Sequence, residues 1–256
     1  MGKKDYPSRE EHEVWQYLQE KEIVDTGLVS DIFPEMAAGK RNKILHSLHR
    51  KGYLRRARNG LYYNPERLTD FHRLALRIKP GYIGLGSALR HYNLIEYEDF
   101  TIFVMTRSFR KKVSLEGTKY EIQFIPLGNL FTGFETKDGV CISSPEKTFF
   151  DCLLKPGLIG FATITKALSA SKLDWHRFIS FFRMTGNCAL HQRTGYLLEL
   201  MKKNTSMDIP PFVFEFLEKK VKNTVRLTSA GSASTFSRRW KLQDNVGERN
   251  ILSWWY

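Results

Sequence analysis

The stretch between Met36 and Pro65 contains no acidic residue, yet it carries eight cations. Its first half, KRNKILHSLHRKG, has apolar residues at helical spacing, and its second half, YLRRARNGLYYN, has two β-prone runs joined by Asn59-Gly60. Asn-Gly is a strong hairpin signal, because both central residues of a type I′ turn take positive φ. Gly52 is the expected helix stop. The sequence therefore predicts a basic helix followed by a basic β-hairpin.

Two further helices are predicted before this stretch. Ser8 and Glu11 have the spacing of a capping box, and apolar residues follow at helical spacing, which predicts a first helix over residues 9–21. The apolar residues between Ile23 and Phe33 allow a short second helix that ends before Pro34, and the third helix is expected over residues 35–51. Three helices and a hairpin make a winged helix-turn-helix, which we predict over residues 1–65.

The third predicted helix has one apolar side and one polar, basic side. A step of 100° per residue places four residues on the apolar side: Ala37, Ile44, Leu45 and Leu48. Five residues project from the other side: Asn42, Lys43, His46, His49 and Arg50. A charged helix face is often merely solvated. The absence of acids, the arginine-rich hairpin and the mixture of Asn, His, Ser and Arg favour contact with DNA instead.

The hypothesis assigns DNA contacts to residues of the third helix and of the hairpin. They are Lys40, Arg41, Asn42, Lys43, His46, Arg50, Arg55, Arg56, Arg58 and Asn59. The hairpin arginines would neutralise phosphates or enter the minor groove, and the outward helix residues lie where base edges are read. Arg41 falls towards the apolar side, so it would act from the helix edge or first turn.

The charge balance of the chain favours an anionic partner. The 256 residues carry a formal net charge of +13, which places nucleic acid first, ahead of an acidic protein or a membrane surface. The first residues lack an apolar signal core, and no apolar run approaches the ~20 residues needed to span a bilayer. We therefore expect a cytoplasmic protein with double-stranded DNA as a partner and no membrane association.

The rest of the chain predicts a second, larger domain over residues 66–256. A helix is expected in ERLTDFHRLALRIKP, strands in TIFVMT, YEIQFIP and VCISS, and a helix capped by Ser144 with Pro145 at its first position. Four later segments have helical patterns, so the expected fold class is α+β, with a mixed α/β C-terminal domain. TSAGSASTFS near residues 228–237 is expected to be a loop. A second basic concentration flanks it, interpreted as solvated surface, or else as a groove for nucleic acid or an acidic partner: Lys219, Lys220, Lys222, Arg226, Arg238, Arg239 and Lys241.

No catalytic, cofactor or metal site is predicted. The three cysteines, Cys141, Cys152 and Cys188, lack CxxC spacing and are interpreted as buried thiols. GYIGLG does not fit a phosphate-binding loop and is expected to be a strand that turns into a helix. Glu135-Thr136-Lys137 has the E-x-K form of metal-dependent nucleases, with Asp99 or Glu121 as a second carboxylate. FETKDG is interpreted more simply as a charged turn, so nuclease activity is only an alternative.

Four segments, in their order and spacing, resemble the AbiEi family of antitoxins and transcriptional regulators from abortive-infection, type IV toxin-antitoxin systems. The segments are RRARNGLYY, GYIGLGSALRHYNLIE, ISSPEKTFFDCLL and RRWKLQDNV. The resemblance implies a winged helix-turn-helix that binds the operon promoter. It also implies a C-terminal part, from about Arg67 onward, that neutralises a nucleotidyltransferase-like toxin encoded by the adjacent gene. The alternative is a stand-alone winged-helix regulator without a toxin partner.

Overall fold

The computed structural model describes residues 5–96, 100–231 and 235–256, and the fold is mixed α+β, as predicted. Contacts group the described chain into two compact units. The first comprises residues 5–81, 100–126 and 138–140, and the second comprises residues 82–96, 127–137, 141–231 and 235–256. The first unit thus extends beyond residue 65, where the sequence placed a domain boundary. That boundary stays a prediction.

The described chain contains both helices and strands. The helices are α1 (Arg9–Leu18), α2 (Thr26–Ile32), α3 (Ala38–Arg50), α4 (Phe71–Ile78), α5 (Leu85–His91), α6 (Pro145–Leu154), α7 (Phe161–Ser169), α8 (Trp175–Arg183), α9 (Cys188–Asn204), α10 (Pro211–Glu218) and α11 (Glu248–Ile251). The strands are β1 (Ile23–Asp25), β2 (Arg55–Arg58), β3 (Leu61–Tyr63), β4 (Tyr82–Ile83), β5 (Thr101–Thr106), β6 (Lys111–Ser114), β7 (Glu121–Pro126), β8 (Phe134–Lys137), β9 (Val140–Ser143), β10 (Val225–Arg226), β11 (Thr235–Ser237) and β12 (Leu242–Asp244).

The N-terminal elements follow the predicted order of three helices and a hairpin, with one addition. The capping box of α1 is confirmed, since the Ser8 amide donates to Glu11 Oε2 at 2.6 Å and the Glu11 amide donates to Ser8 Oγ. The addition is β1, which pairs antiparallel with β3 and places Ile23 opposite Tyr63. Assigning Ile23 to the second helix was therefore wrong. A β-branched Ile-Val pair gains more from sheet pairing than from another helical turn.

The apolar side of α3 anchors the helix in a small core. Ile44, Leu45 and Leu48 are buried as predicted, among residues of α1, α2 and the sheet. Ala37 is exposed, which corrects its predicted place on the apolar side, because the helix begins only at Ala38. Gly52 ends the helix with a φ of 82°. Burying this stripe fixes the rotation of α3, so its polar side faces outward.

The hairpin forms where predicted, but its turn is of a different type. Only Gly60 of the Asn59-Gly60 pair has positive φ (71°), so the type I′ prediction was wrong. The register shifts between Arg56 and Arg58, which leaves Ala57 as an extra residue in β2. Such a bulge increases the local twist that a type I′ turn would otherwise supply. The Gly60 carbonyl also accepts a hydrogen bond from the Thr26 amide at 3.3 Å.

The rest of the first unit contains α4 and the strands β5, β6 and β7. β7 runs parallel to β5 and antiparallel to β6. The hairpin of β6 and β7 is closed by residues 115–120, and its last residue, Tyr120, stacks on Phe71 of α4 with ring centroids 4.1 Å apart. Through this turn the first unit brings Glu116 to the N-terminal elements.

The second unit combines β4, β8 and β9 with the later helices. β4 runs parallel to β9, and α6 contacts α5, α8 and α9. α9 comes so close to the buried Trp240 that a Cβ at Gly195 would lie 2.1 Å from the indole, which only glycine avoids. Of the three free thiols, Cys152 is buried and the other two are half-buried, so the expectation of three buried thiols was too strong. Among the described helices, none has the length and apolarity to cross a bilayer.

A fully buried ion pair lies on α6. Lys147 Nζ donates to Asp151 one turn later, and the Tyr82 hydroxyl donates to the same carboxylate at 2.8 Å. The Lys147 ammonium also lies 4.7 Å from the centroid of the Phe150 ring. Burial raises the pKa of Asp151 to about 6, although Lys147 and Tyr82 act to lower it, and burial lowers the pKa of Lys147. Each charged side chain therefore stabilises the charge of the other against the effect of burial.

Candidate nucleic-acid interface

An open groove lies between the outward side of α3, the turn of the β2–β3 hairpin and the beginning of α2. Eight residues line it: Thr26, Asn42, Lys43, His46, Arg56, Asn59, Gly60 and Tyr62. Five of these eight are predicted DNA-binding residues, and none is acidic. The structure thus brings together helix and hairpin residues that the sequence placed on one interface.

The groove side chains of α3 are available to a ligand. Asn42, Lys43, His46 and, on the same helix, Arg50 are exposed. In the described part of the chain, none of these four side chains has a hydrogen bond or an ion pair. The His46 ring stacks on His49, with centroids 6.3 Å apart. The helix therefore presents amide, ammonium, imidazole and guanidinium groups that are not committed elsewhere, which suits base edges and phosphates.

The hairpin turn organises two exposed arginines. Arg56 Nη2 donates to the Asn59 side-chain oxygen at 2.9 Å, and Arg58 Nη1 donates to the Asn59 carbonyl at 3.1 Å. Both arginines are exposed, whereas Arg55 before them and Ala57 between them are half-buried. Each guanidinium keeps further N–H donors beyond the one bonded to Asn59. These donors can reach an anion at the hairpin tip.

Three other predicted residues do not line the groove and bond to protein groups. Lys40 pairs with Glu10 at 2.8 Å, and Arg41 donates to the carbonyls of Phe33 and Met36, which closes the turn between α2 and α3. Arg55 pairs with Glu116 at 3.2 Å. Helical spacing already placed Arg41 away from the outward side. The partners of Lys40 and Arg55 lie 30 and 61 residues away, so no local pattern could reveal them.

Glu116 is the residue of this region that the sequence did not indicate. Its carboxylate accepts hydrogen bonds from His49 Nε2 at 2.8 Å, from Arg55 Nη1 at 3.2 Å and from the Arg56 amide at 3.5 Å. The Tyr63 hydroxyl donates to the Glu116 carbonyl. Burial would raise the pKa of Glu116, but its donors outweigh that effect and hold the pKa below its usual value. An acid from the β6–β7 turn thus neutralises part of the acid-free stretch.

Some residues of the second basic concentration bond to protein groups. Arg239 pairs with Glu199 at 2.7 Å and with Glu218 at 3.0 Å, and these bonds raise its pKa. Lys241 donates to the Lys222 carbonyl at 2.9 Å. Lys219, Lys220, Lys222 and Arg238 are exposed, so solvated surface and a groove for nucleic acid or an acidic partner both stay predictions. The loop prediction for residues 228–237 was wrong at Thr235–Ser237, which form β11 and pair antiparallel with β12, and residues 232–234 lie outside the described residues.

The described residues around the E-x-K segment have no metal-site geometry. Residues 134–137 form β8, so the charged turn expected at FETKDG begins later, at Asp138-Gly139, where both residues have positive φ. Glu121 pairs with Lys112 at 3.1 Å, and Asp99 lies outside the described residues. Within residues 5–96, 100–231 and 235–256, no group of three or more His, Cys, Asp or Glu side chains could hold a metal ion.

The described geometry thus offers one coherent site, an acid-free groove with unpaired donors from α3 and guanidinium groups at the hairpin tip. Its chemistry suits a polyanion. Comparison with known proteins adds no assignment, since the sequence matches no protein-family model and no curated protein.

Proposed function

We propose that the N-terminal elements form a winged helix-turn-helix that binds double-stranded DNA, with α3 in the major groove and the β2–β3 hairpin as the wing. The observation that carries this proposal is the groove itself. Five predicted contact residues line it, no acid does, and the α3 side chains in it have no hydrogen bond or ion pair in the described chain.

The roles follow from chemistry and position. Asn42, Lys43, His46 and Arg50 would read base edges, because amide, imidazole and guanidinium groups match the donors and acceptors of the major groove. Arg56 and Arg58 would contact phosphates or the minor groove at the wing. Lys40 and Arg41 would support the placement of α3 through Glu10 and the α2–α3 turn.

We further propose that the protein is a cytoplasmic antitoxin and autorepressor that binds its operon promoter and neutralises a nucleotidyltransferase-like toxin. This part is supported by the order of the four segments that resemble the AbiEi family. The proposal assigns no catalytic step to the chain. A stand-alone regulator would share the DNA-binding groove but would have no toxin to neutralise, so a neutralisation assay separates the two.

Electrophoretic titrations at several salt concentrations test the DNA-binding proposal. Arg56→Ala and Arg58→Ala should each weaken binding to all sequences and reduce the salt slope by about 0.9, the value for one lost phosphate contact. Arg50→Ala should instead reduce the preference for the promoter over other DNA by about 1 to 3 kcal/mol.

Arg238→Ala is the matched control, because Arg238 is an exposed arginine of the second basic concentration. It should leave affinity and salt slope unchanged. Equal losses in Arg238→Ala and Arg56→Ala would show that binding follows net charge alone, and the groove would no longer be the interface.

A further inference from the structure

The carboxylate of Glu116 sits among donors that belong to the proposed DNA-binding elements. His49 is on α3, while Arg55 and Arg56 are on β2, and each contributes one donor to it. All four residues lie in the first unit. The contact therefore joins the β6–β7 turn to both parts of the proposed interface.

This set of donors is one that binds phosphate. A guanidinium, an imidazole and a backbone N–H are the groups by which proteins hold the oxygens of a nucleic-acid backbone. The site is also open, since the Glu116 and Arg55 side chains are 44% and 36% exposed. A carboxylate in such a site has the charge and the acceptor oxygens of a phosphate but comes from the protein itself.

We propose that Glu116 occupies a phosphate site of the DNA-binding surface and competes with the DNA backbone for it. The inference rests on the proposed DNA-binding function. Exposed ion pairs contribute little free energy, so a DNA phosphate can displace the carboxylate at small cost. Glu116 then lowers affinity for all DNA sequences.

Displacement requires movement of the side chain only. The turn backbone is held by the Tyr63 hydroxyl, which donates to the Glu116 carbonyl. The next residue, Gly117, has a φ of 74° and packs against Arg55. A Cβ added at Gly117 would lie 3.3 Å from Arg55 Nε. The carboxylate can therefore leave its donors while the turn stays in place.

Glu116→Gln tests the proposal, measured against promoter and unrelated duplex DNA over a range of salt. Removal of the competing charge should tighten binding to both about twofold to fivefold, the range of an exposed ion pair. The salt slope should change little, because the phosphate occupies the site in the complex of either protein and only the cost of displacing the carboxylate is removed. Thermal unfolding of each variant verifies that it is folded, and Glu116→Ala serves as a second variant.

Glu121→Gln is the matched control, since Glu121 lies on β7 of the same hairpin and pairs with Lys112 at 3.1 Å. It removes the same charge outside the phosphate site and should leave both affinities nearly unchanged. In an Arg55→Ala background, Glu116→Gln should lose most of its gain, because the vacated site then lacks its guanidinium.

The outcomes are distinguishable. Unchanged or weaker binding by folded Glu116→Gln and Glu116→Ala, or an equal gain in Glu121→Gln, would overturn the competition while DNA binding by the unaltered protein stands. If the unaltered protein binds no duplex at any salt concentration, the proposed function and this inference both fall.

Discussion

At the scale of single residues, Glu11 combines two stabilising contacts. It closes the capping box with Ser8, and it accepts a hydrogen bond from Lys51 Nζ at 2.7 Å. Hydrogen bonds from Lys51 and Ser47 lower its pKa from 4.5 to about 2, against the effect of burial. A carboxylate whose pKa is lower in the folded state contributes stability that is complete above pH 4.5 and is lost as the pH falls towards 2.

Glu11→Gln should lower the free energy of unfolding at pH 7 by about 1.5 to 3 kcal/mol, because hydrogen bonds to charged groups have that range. Glutamine keeps the capping-box pattern, so the loss reports the charge. Urea unfolding at pH 7 and pH 3 should show a smaller loss at the lower pH. Glu13→Gln removes an exposed charge from the same helix and should change little. An equal loss for Glu11→Gln at both pH values would contradict the assigned cause.

At this scale the sequence predicts the hairpin and the groove residues of α3, but not the turn type or Glu116. Asn59-Gly60 correctly predicted a hairpin, but its type depended on the extra residue Ala57, which no turn pattern shows. The two positive φ values expected at Asn59-Gly60 occur instead at Asp138-Gly139. The groove residues of α3 were predictable because helical spacing separates polar from apolar positions. Glu116 was not, because its donors are about 60 residues away in sequence.

At the scale of elements, periodicity predicted the helices better than the short strands. α3 and α6 carry local signals, an apolar stripe in one and the Ser144 cap with Pro145 in the other. β1 has three residues and exists through its pairing with β3, about 40 positions later. A strand of this length has no period to detect, so tertiary pairing decided its state.

The buried pair on α6 gives a prediction for a whole element. Lys147→Met should lower the free energy of unfolding by about 3 to 5 kcal/mol, because the buried Asp151 carboxyl would lose the ammonium that stabilises it. Adding Asp151→Asn should recover part of that loss, since asparagine is neutral and can still accept a hydrogen bond from Tyr82. Chemical unfolding of both variants measures the difference. A double variant less stable than Lys147→Met would show that the ion pair is not the cause.

At the scale of the whole molecule, the positive charges differ in whether acids of the protein neutralise them. The chain carries +13, but Arg239 in the second basic concentration is paired with acids, whereas the α3 donors of the groove are unpaired in the described chain. Composition therefore predicted a polyanionic partner without locating it. The absence of acids between Met36 and Pro65 directs the proposal to this stretch, although Glu10, Glu11 and Glu116 from other parts of the chain pair with three of its eight cations.

The proposed antitoxin function predicts that DNA binding and neutralisation can be separated in the full chain. Arg56→Ala/Arg58→Ala should release repression of a reporter under the operon promoter, since both exposed wing arginines are lost. The same variant should still rescue growth of cells that express the nucleotidyltransferase-like product of the adjacent gene. Neither arginine is buried, so the fold should persist, and circular dichroism verifies it.

The rescue assay has three informative results. Rescue by both the unaltered protein and the double variant supports a neutralising part outside the wing. Rescue by the unaltered protein alone would mean that neutralisation of the toxin depends on the DNA-binding surface. If neither rescues growth while promoter repression still requires Arg56 and Arg58, the chain acts as a stand-alone regulator, because the groove would then account for all of its activity.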